Sequence, residues 1–287
     1  MGDLGLQEFV GGTVGGIVQV LTGQPFDIIK VRQATSSTPI NASSAVLTIL
    51  KQEGPLAFWR GSLAPILGVG ACVSIQFGVL ENSKKLLSKY KGQSLSTTDF
   101  MLCGALAGLA NSVVASPAEH FRIKMQVQGK VDPRGDPIYK SSGDCISHII
   151  KNHGLAGVYK GLVITMIRES ATFSTYFGVY EYIVHNHLIP EGGTKKDVEI
   201  WKLFLTGGFS GYFYWGPWYP IDAVKSKLQA DSLANPRYKG IVDCFKATMA
   251  SEGVAGFYKG FWTCMLRAFP ANAATFMAFE LTMRAIS

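Results

Sequence analysis

The sequence predicts an all-α membrane protein with six transmembrane helices in three repeats of about 100 residues. Three observations predict it: an apolar, glycine-rich composition, two linked motifs that each recur three times, and a hydrophobic span on either side of every motif pair. Of the 287 residues 47% are hydrophobic and only 16% charged, with 32 glycines. That balance is rare in soluble domains and common in polytopic membrane proteins, where glycine lets helices approach closely. The net charge of +7 comes without a basic tract or nucleic-acid motif, so it fits loops facing an anionic membrane surface and not nucleic acid. The five cysteines (Cys72, Cys103, Cys145, Cys244, Cys264) form no CxxC pair and no metal spacing, and they read as small packing residues. The start, "MGDLGLQEFVGG", lacks a basic signal region and an Arg/Ser-rich presequence, and Leu6 stands where myristoylation needs Ser or Thr. Targeting information is therefore expected inside the chain.

The first motif is Pro-x-acid-x-x-base-x-base: "PFDIIKVR" (25–32), "PAEHFRIK" (117–124) and "PIDAVKSK" (220–227). The second is Gly, four residues, aromatic, base, Gly: "EGPLAFWRG" (53–61), "HGLAGVYKG" (153–161) and "EGVAGFYKG" (252–260). The second recurs at spacings of 100 and 99 residues and the first at 92 and 103. Two linked motifs in threefold repetition do not arise by chance. They divide the chain into repeats 1–97, 98–196 and 197–287.

Each repeat supplies two helices. The first spans Phe9–Phe26, the second Gly61–Leu80, the third Met101–Ala118 and the fifth Leu203–Ile221, all uncharged and long enough to cross a bilayer. The fourth, near Leu162–Val184, is interrupted by Arg168 and Glu169, and the sixth, near Phe261–Met283, by Arg267. Small-xxx-small pairs (Gly11/Gly15, Gly104/Gly108, Gly207/Gly211) mark the odd helices as close-packing. The connecting segments 30–60, 122–160 and 225–259 hold 17 of the 27 Lys and Arg, so they face the more negative compartment, and both termini lie opposite. Each also holds a short amphipathic stretch such as "IVDCFKATMASEG".

Pro25, Pro117 and Pro220 should kink the ends of the odd helices. Beyond each proline come an acid and, three residues on, a base on the same face: Asp27 and Lys30, Glu119 and Arg122, Asp222 and Lys225. Around a pseudo-threefold axis these acids can pair with bases of neighbouring helices in a closed ring that acts as a gate. At the opposite ends of the even helices stand Glu81 with Lys84, Glu181 with no base three residues on, and Glu280 with Arg284 one residue late. That second ring is incomplete. The paired motif glycines (Gly54 and Gly61, Gly154 and Gly161, Gly253 and Gly260) can expose backbone N–H groups to a lipid phosphate, or form a plain interfacial turn.

Taken together, these motifs resemble the mitochondrial carrier family over essentially the whole chain. The resemblance implies a pseudo-threefold six-helix bundle in the mitochondrial inner membrane, with short matrix helices and both termini toward the intermembrane space. It implies alternating access between a matrix gate, built from the proline motifs, and a cytoplasmic gate, the incomplete ring. It further implies a small-metabolite substrate, no cofactor, cardiolipin as a possible bound lipid, and function as a monomer.

A substrate is not threefold symmetric, so the differences between repeats matter. Seven residues past the glycine of each even helix stand Gly68, Arg168 and Arg267; at eight, Val69, Glu169 and Ala268. At eleven come Cys72, Thr172 and Ala271, and at fifteen Gln76, Tyr176 and Thr275. Charges at that depth are costly unless they line water or bind something. Neighbours i,i+1 do not face each other on a helix, so Arg168 and Glu169 are not expected to neutralise one another, and Arg267 has no acid adjacent in sequence. Two arginines can clamp a carboxylate in forked hydrogen bonds and leave Glu169 for a cation. The site expected from this register is Arg168, Glu169, Arg267, Gly68, Cys72, Gln76 and Thr172, with Asn111, Tyr214, Trp215 and Trp218 as further lining.

An Arg-acid pair in this position resembles amino-acid and carnitine carriers. "MLRAFPANAATFMAFE" (265–280) is similar to the carnitine/acylcarnitine and basic-amino-acid branch, and "LGVGACVSIQFGV" (67–79) to fungal members of it. Ornithine carriers of the branch have an acid where Cys72 stands, and carnitine carriers a His where Gln24 stands. The expected function is transport of a cationic or zwitterionic amino acid of the arginine, lysine or ornithine type. The alternatives are a carnitine/acylcarnitine exchanger or a carrier of another small amino acid, linked to glycine or glutamate. No Ser/His/Asp set, metal cluster or phosphate loop points to an enzyme.

Overall fold

The computed structural model describes residues 3–36, 40–92, 95–128, 137–190, 193 and 197–286, and among them every regular element is helical. The long helices are α1 (Asp3–Thr35), α3 (Leu63–Lys91), α4 (Thr97–Val127), α6 (Leu162–Ile183), α7 (Ile200–Trp215) and α10 (Phe261–Ile286). Between them lie α2 (Ala42–Gln52), α5 (Ser142–Val158), α8 (Tyr219–Ala230) and α9 (Ile241–Glu252). The chain forms two compact units: unit one is residues 1–71, 115–161 and 223–287, and unit two is 72–114 and 162–222.

In unit one α1 packs against α10 and α2. Ile28 and Ile29 meet Ala45, Ile49 and Ala57, so the apolar face of the short amphipathic α2 is spent on the end of α1. A second cluster joins Phe121 and Met125 to Tyr139, Cys145, Ile149 and Val158 in the same way. In unit two α6 packs on α7, and Leu80 meets Cys103 and Ala107. Cys103, Cys145, Cys244 and Cys264 are buried free thiols, and burial pushes the Cys244 thiol up to about 11, which suits inert packing residues.

Apolar surface is turned outward in helical stripes. Trp262, Leu266 and Phe269 on α10, and Trp201, Leu205 and Phe209 on α7, are all exposed at i,i+3/i+4 spacing. Water would penalise such stripes and lipid does not. Pro55–Lys91 and Thr97–Val127 are the two described helical stretches apolar enough throughout to cross a membrane by composition alone.

The prolines act differently in the three repeats. α1 and α4 run on through Pro25 and Pro117 as single helices of 33 and 31 residues. The expected continuous span Leu203–Ile221 is instead broken: α7 stops at Trp215 and α8 begins at Tyr219. Pro217 and Pro220 both lack an N–H, so two rungs of the ladder are missing within one turn. The last α7 rung is Gly216 N–H to Tyr212 O at 2.8 Å, and Asp222 N–H restarts the helix on Trp218 O at 3.2 Å.

Candidate functional site

In unit two the charges of α6 are buried: Arg168 is 3% and Glu169 4% exposed. Contrary to the i,i+1 expectation, the Arg168 guanidinium contacts the Glu169 carboxylate directly. The helical rule concerns Cβ directions, and two long side chains can bend back across that divergence when burial rewards it. Arg168 Nη1 also donates to Tyr214 Oη on α7 at 3.2 Å, and its Nε lies 3.8 Å from Asp222 Oδ1. Asn111 Nδ2 on α4 donates to Glu169 Oε2 at 3.1 Å. Thr172 Oγ1 turns inward to its own helix, on Arg168 O at 2.8 Å and Glu169 O at 3.1 Å. Cys72 and Gln76 are half-buried on α3.

Glycines set this geometry. A Cβ at Gly108 would stand 2.5 Å from Glu169 O, and one at Gly104 2.7 Å from Phe173 O, so α4 touches α6 backbone to backbone beside the charged pair. The Gly207/Gly211 pair makes no such crossing: Gly207 meets the Tyr176 hydroxyl at 3.4 Å, and no described atom comes within 4 Å of Gly211. Around the pair lie Phe173 and Tyr214, with ring centroids 5.5 Å apart, and Trp218 Nε1 donates to Thr175 Oγ1 at 2.9 Å.

In unit one the proline-motif charges meet across helices. Arg122 Nη2 reaches Asp27 Oδ2 at 2.5 Å, and Lys225 Nζ reaches Glu119 Oε2 at 3.0 Å. Arg267, which has no acid beside it in sequence, finds one at the far end of the chain: its Nε is 3.0 Å from the same Asp27 Oδ2. Gly23 makes room for it, since a Cβ there would sit 2.6 Å from Arg267 Nε. Gly68 lies near Ala118, with 3.8 Å between a built Cβ and the Ala118 Cβ, so that position is filled by ordinary packing. Lys30 is buried in unit one and Asp222 in unit two.

The six motif glycines share a backbone reason. Gly54, Gly61, Gly154, Gly161, Gly253 and Gly260 all have φ between 60° and 86°, the left-handed region that favours glycine. The N–H groups of Gly54 and Gly253 are already engaged, on Ile49 O at 3.0 Å and Met249 O at 3.1 Å, so those two amides close the preceding helix and are not offered to an anion.

Sequence reasoning passed over the acid before the first motif glycine. Glu53 takes both ends of the Arg32 fork, at 2.5 and 3.0 Å, and Arg60 at 2.5 Å. Glu252 takes Lys227 and Lys259 at 2.9 Å each. The signal was present in the "EG" of both motifs. Burial raises the Glu252 carboxyl, but hydrogen bonds from Lys259 and Lys227 outweigh it and hold the group below the ordinary carboxylate range. Its contribution to stability is therefore present above the unfolded-state value and lost as pH falls through the lower folded-state value. The Glu252→Gln variant should melt several degrees below the wild type at pH 7. The gap should close on acidification toward about pH 4, as measured by thermal melts in detergent.

At the other end of the even helices, Lys84 Nζ pairs with Glu81 Oε1 at 2.9 Å along α3 itself, an exposed i,i+3 pair and not a bridge between helices. Glu181 is buried on α6. The side chains of Glu280 and Arg284 lie outside the described residues.

The model of the family described as "Mitochondrial carrier protein" matches residues 5–91, 93–189 and 196–287. The chain is 42% identical to the mitochondrial glycine transporter YMC1 of Saccharomyces cerevisiae, over 97% of this chain and 91% of that one. It is 41% identical to the glutamate/glycine mitochondrial carrier ymc1 of Schizosaccharomyces pombe, over 96% and 92%. With the mitochondrial basic amino acids transporter of Mus musculus it shares 38% identity, over 96% and 88%.

Proposed function

The chain belongs to the mitochondrial carrier family, whose members are transporters of small metabolites in the inner mitochondrial membrane, and we propose that its cargo is a zwitterionic amino acid. The buried Arg168–Glu169 pair carries this reading. Empty, the two groups satisfy each other, which avoids a stranded buried charge. An amino acid exchanges that one contact for two, its carboxylate on Arg168 and its ammonium on Glu169, with no change in net charge at the site. A simple anion or cation cannot do this without leaving one partner stranded. Asn111 and Tyr214 hold the two side chains in place for the exchange.

The length of the cargo follows from what faces its side chain. A dibasic amino acid needs a second acid, and Cys72 is neutral at the position where the ornithine carriers have one. Glycine is therefore the first candidate, in keeping with the yeast relatives. Arginine and lysine form the second, in keeping with the mouse relative. Arg267, at the same register in the third repeat, is proposed as a further anion-recognising cation. Asp27, Lys30, Glu119, Arg122, Asp222 and Lys225 are proposed as the gate on the matrix side, with alternating access and both termini toward the intermembrane space. Cardiolipin phosphate at the motif glycines and a working monomer complete the proposal.

The test is exchange in liposomes loaded with glycine, arginine, carnitine or ADP in turn. Exchange of glycine or a basic amino acid above protein-free vesicles supports the reading. Exchange of carnitine or ADP alone overturns it. Within the amino-acid reading, Glu169→Gln should reduce glycine exchange by about 10- to 100-fold, as expected when a charge-assisted hydrogen bond of about 1.5–3 kcal/mol is lost. It should leave inhibition by a plain short-chain carboxylate within about twofold. Equal losses for both ligands would make Glu169 structural.

A further inference from the structure

One fully buried amide in unit one is unused by the transport site and touches the proposed gate. Gln24 stands immediately before Pro25 and is 0% exposed. Arg122 Nη2 donates to Gln24 Oε1 at 2.5 Å and, with the same nitrogen, to Asp27 Oδ2 at 2.5 Å. The other end of the amide, Nε2, donates to the backbone carbonyl of Arg60 at 2.6 Å. That second bond orients the amide. With its nitrogen claimed by a carbonyl, its oxygen must point at the guanidinium, and a flipped amide would set N–H against N–H. Arg60 is in turn fixed by Glu53, which also holds the Arg32 fork. The Arg122 side chain is thus held against Asp27 from behind by a strut running to the Arg60 loop.

The other repeats lack this strut. The residues before their prolines are Ser116 and Tyr219, equally 0% exposed. Ser116 Oγ has no hydrogen-bond partner among the described residues. A serine is too short to bridge a guanidinium and a loop carbonyl, and a phenol has no donor and acceptor at opposite ends.

We propose that Gln24 is a positioning residue that sets how firmly the Asp27–Arg122 pair holds the gate shut in the unloaded protein. This rests on the reading of that pair as a gate. The amide is neutral and makes one bond to each neighbour, so it strengthens the pair without adding a charge that would have to be broken on opening. The carrier then resists opening when empty while the barrier stays low enough for a loaded carrier to cross.

The measurable quantity is the ratio of efflux into glycine-free medium to exchange against external glycine, in liposomes loaded with radiolabelled glycine. The ratio cancels differences in the amount of active protein. Gln24→Met keeps the volume and removes both hydrogen bonds, and it should raise the ratio by about 3- to 10-fold, the weight of one bond to a charged group. Half-saturation for glycine should stay within about twofold. Gln24→His supplies an acceptor and a donor at opposite ends of its ring when neutral, and an extra cation facing Arg122 when protonated. It should behave like the wild type at pH 8 and like Gln24→Met at about pH 6, a profile that a packing role does not produce. A ratio unchanged in Gln24→Met, or a pH-independent Gln24→His, overturns the proposal. The gate reading is checked separately with Arg122→Ala. Its ratio should rise at least as far as that of Gln24→Met, and adding Gln24→Met to it should change nothing more. A wild-type ratio in Arg122→Ala would remove the gate itself, whatever the Gln24 variants do. Should glycine fail as a cargo, the same ratios are read with radiolabelled arginine.

Discussion

Arg168→Ala should abolish transport, with exchange falling by at least about 100-fold, and should also lower the melting temperature. Both effects come from one contact. The guanidinium is 3% exposed and touches Glu169, Tyr214 Oη and, at 3.8 Å, Asp222. Removing it takes away the fork for the cargo carboxylate and leaves Glu169 buried without that cation, which costs about 3–5 kcal/mol when a buried pair is broken from one side. The single variant therefore cannot separate binding from folding. The double variant Arg168→Ala/Glu169→Gln can, because it removes both charges and leaves a neutral amide to Asn111. It should recover most of the melting temperature and none of the transport. Recovery of transport in the double variant would show that the pair is structural and that the cargo binds elsewhere. Arg168→Lys, which keeps the charge but not the fork, should retain about 1–10% of exchange.

Asp27→Asn should be nearly as damaging, with exchange reduced by at least about tenfold. One carboxylate oxygen serves both Arg122 at 2.5 Å and Arg267 at 3.0 Å, so neutralising it leaves two guanidiniums facing a single weak acceptor. The sharing also predicts an asymmetry between gate pairs. Reversing Glu119 and Lys225 to Lys and Glu keeps one bridge of the same length and should restore a measurable part of the exchange lost in either single variant. Reversing Asp27 and Arg122 puts the new cation beside Arg267 and should restore none. Exchange assays on the two reversals, with immunoblots for incorporated protein, decide it. Equal rescue at both would mean that Arg267 is not an effective partner of Asp27.

The architecture was legible because repetition carries it: two motifs in threefold register, spans on each side, and charges only where they cost most. Arg168 and Glu169 stood out for the same reason. Their direct contact did not, since the i,i+1 rule describes Cβ directions and says nothing of how far burial will bend two long side chains. Arg267 found Asp27 across the length of the chain, and no local pattern encodes such a pair. Gln24 was visible only as a departure from carnitine carriers. Its value lies in two bonds to partners that are distant in sequence. The break at Gly216–Trp218 was within reach, because Pro217 was in plain view and was read as part of a continuous apolar window.

The crossing of α4 and α6 at Gly108 works as a fulcrum. With no side chain between the backbones, the two helices cannot be pressed closer there, and a rocking motion must turn about the contact. Displacement then grows with the length of the arm. Glu169, whose carbonyl forms the contact, is at zero arm. Ile183, fourteen residues further along α6 at 1.5 Å per residue, is at about 21 Å, so a 5° tilt carries it roughly 2 Å. The charged pair is thereby kept still at the hub of the movement, and the cargo can remain in one grip while the passage around it changes sides.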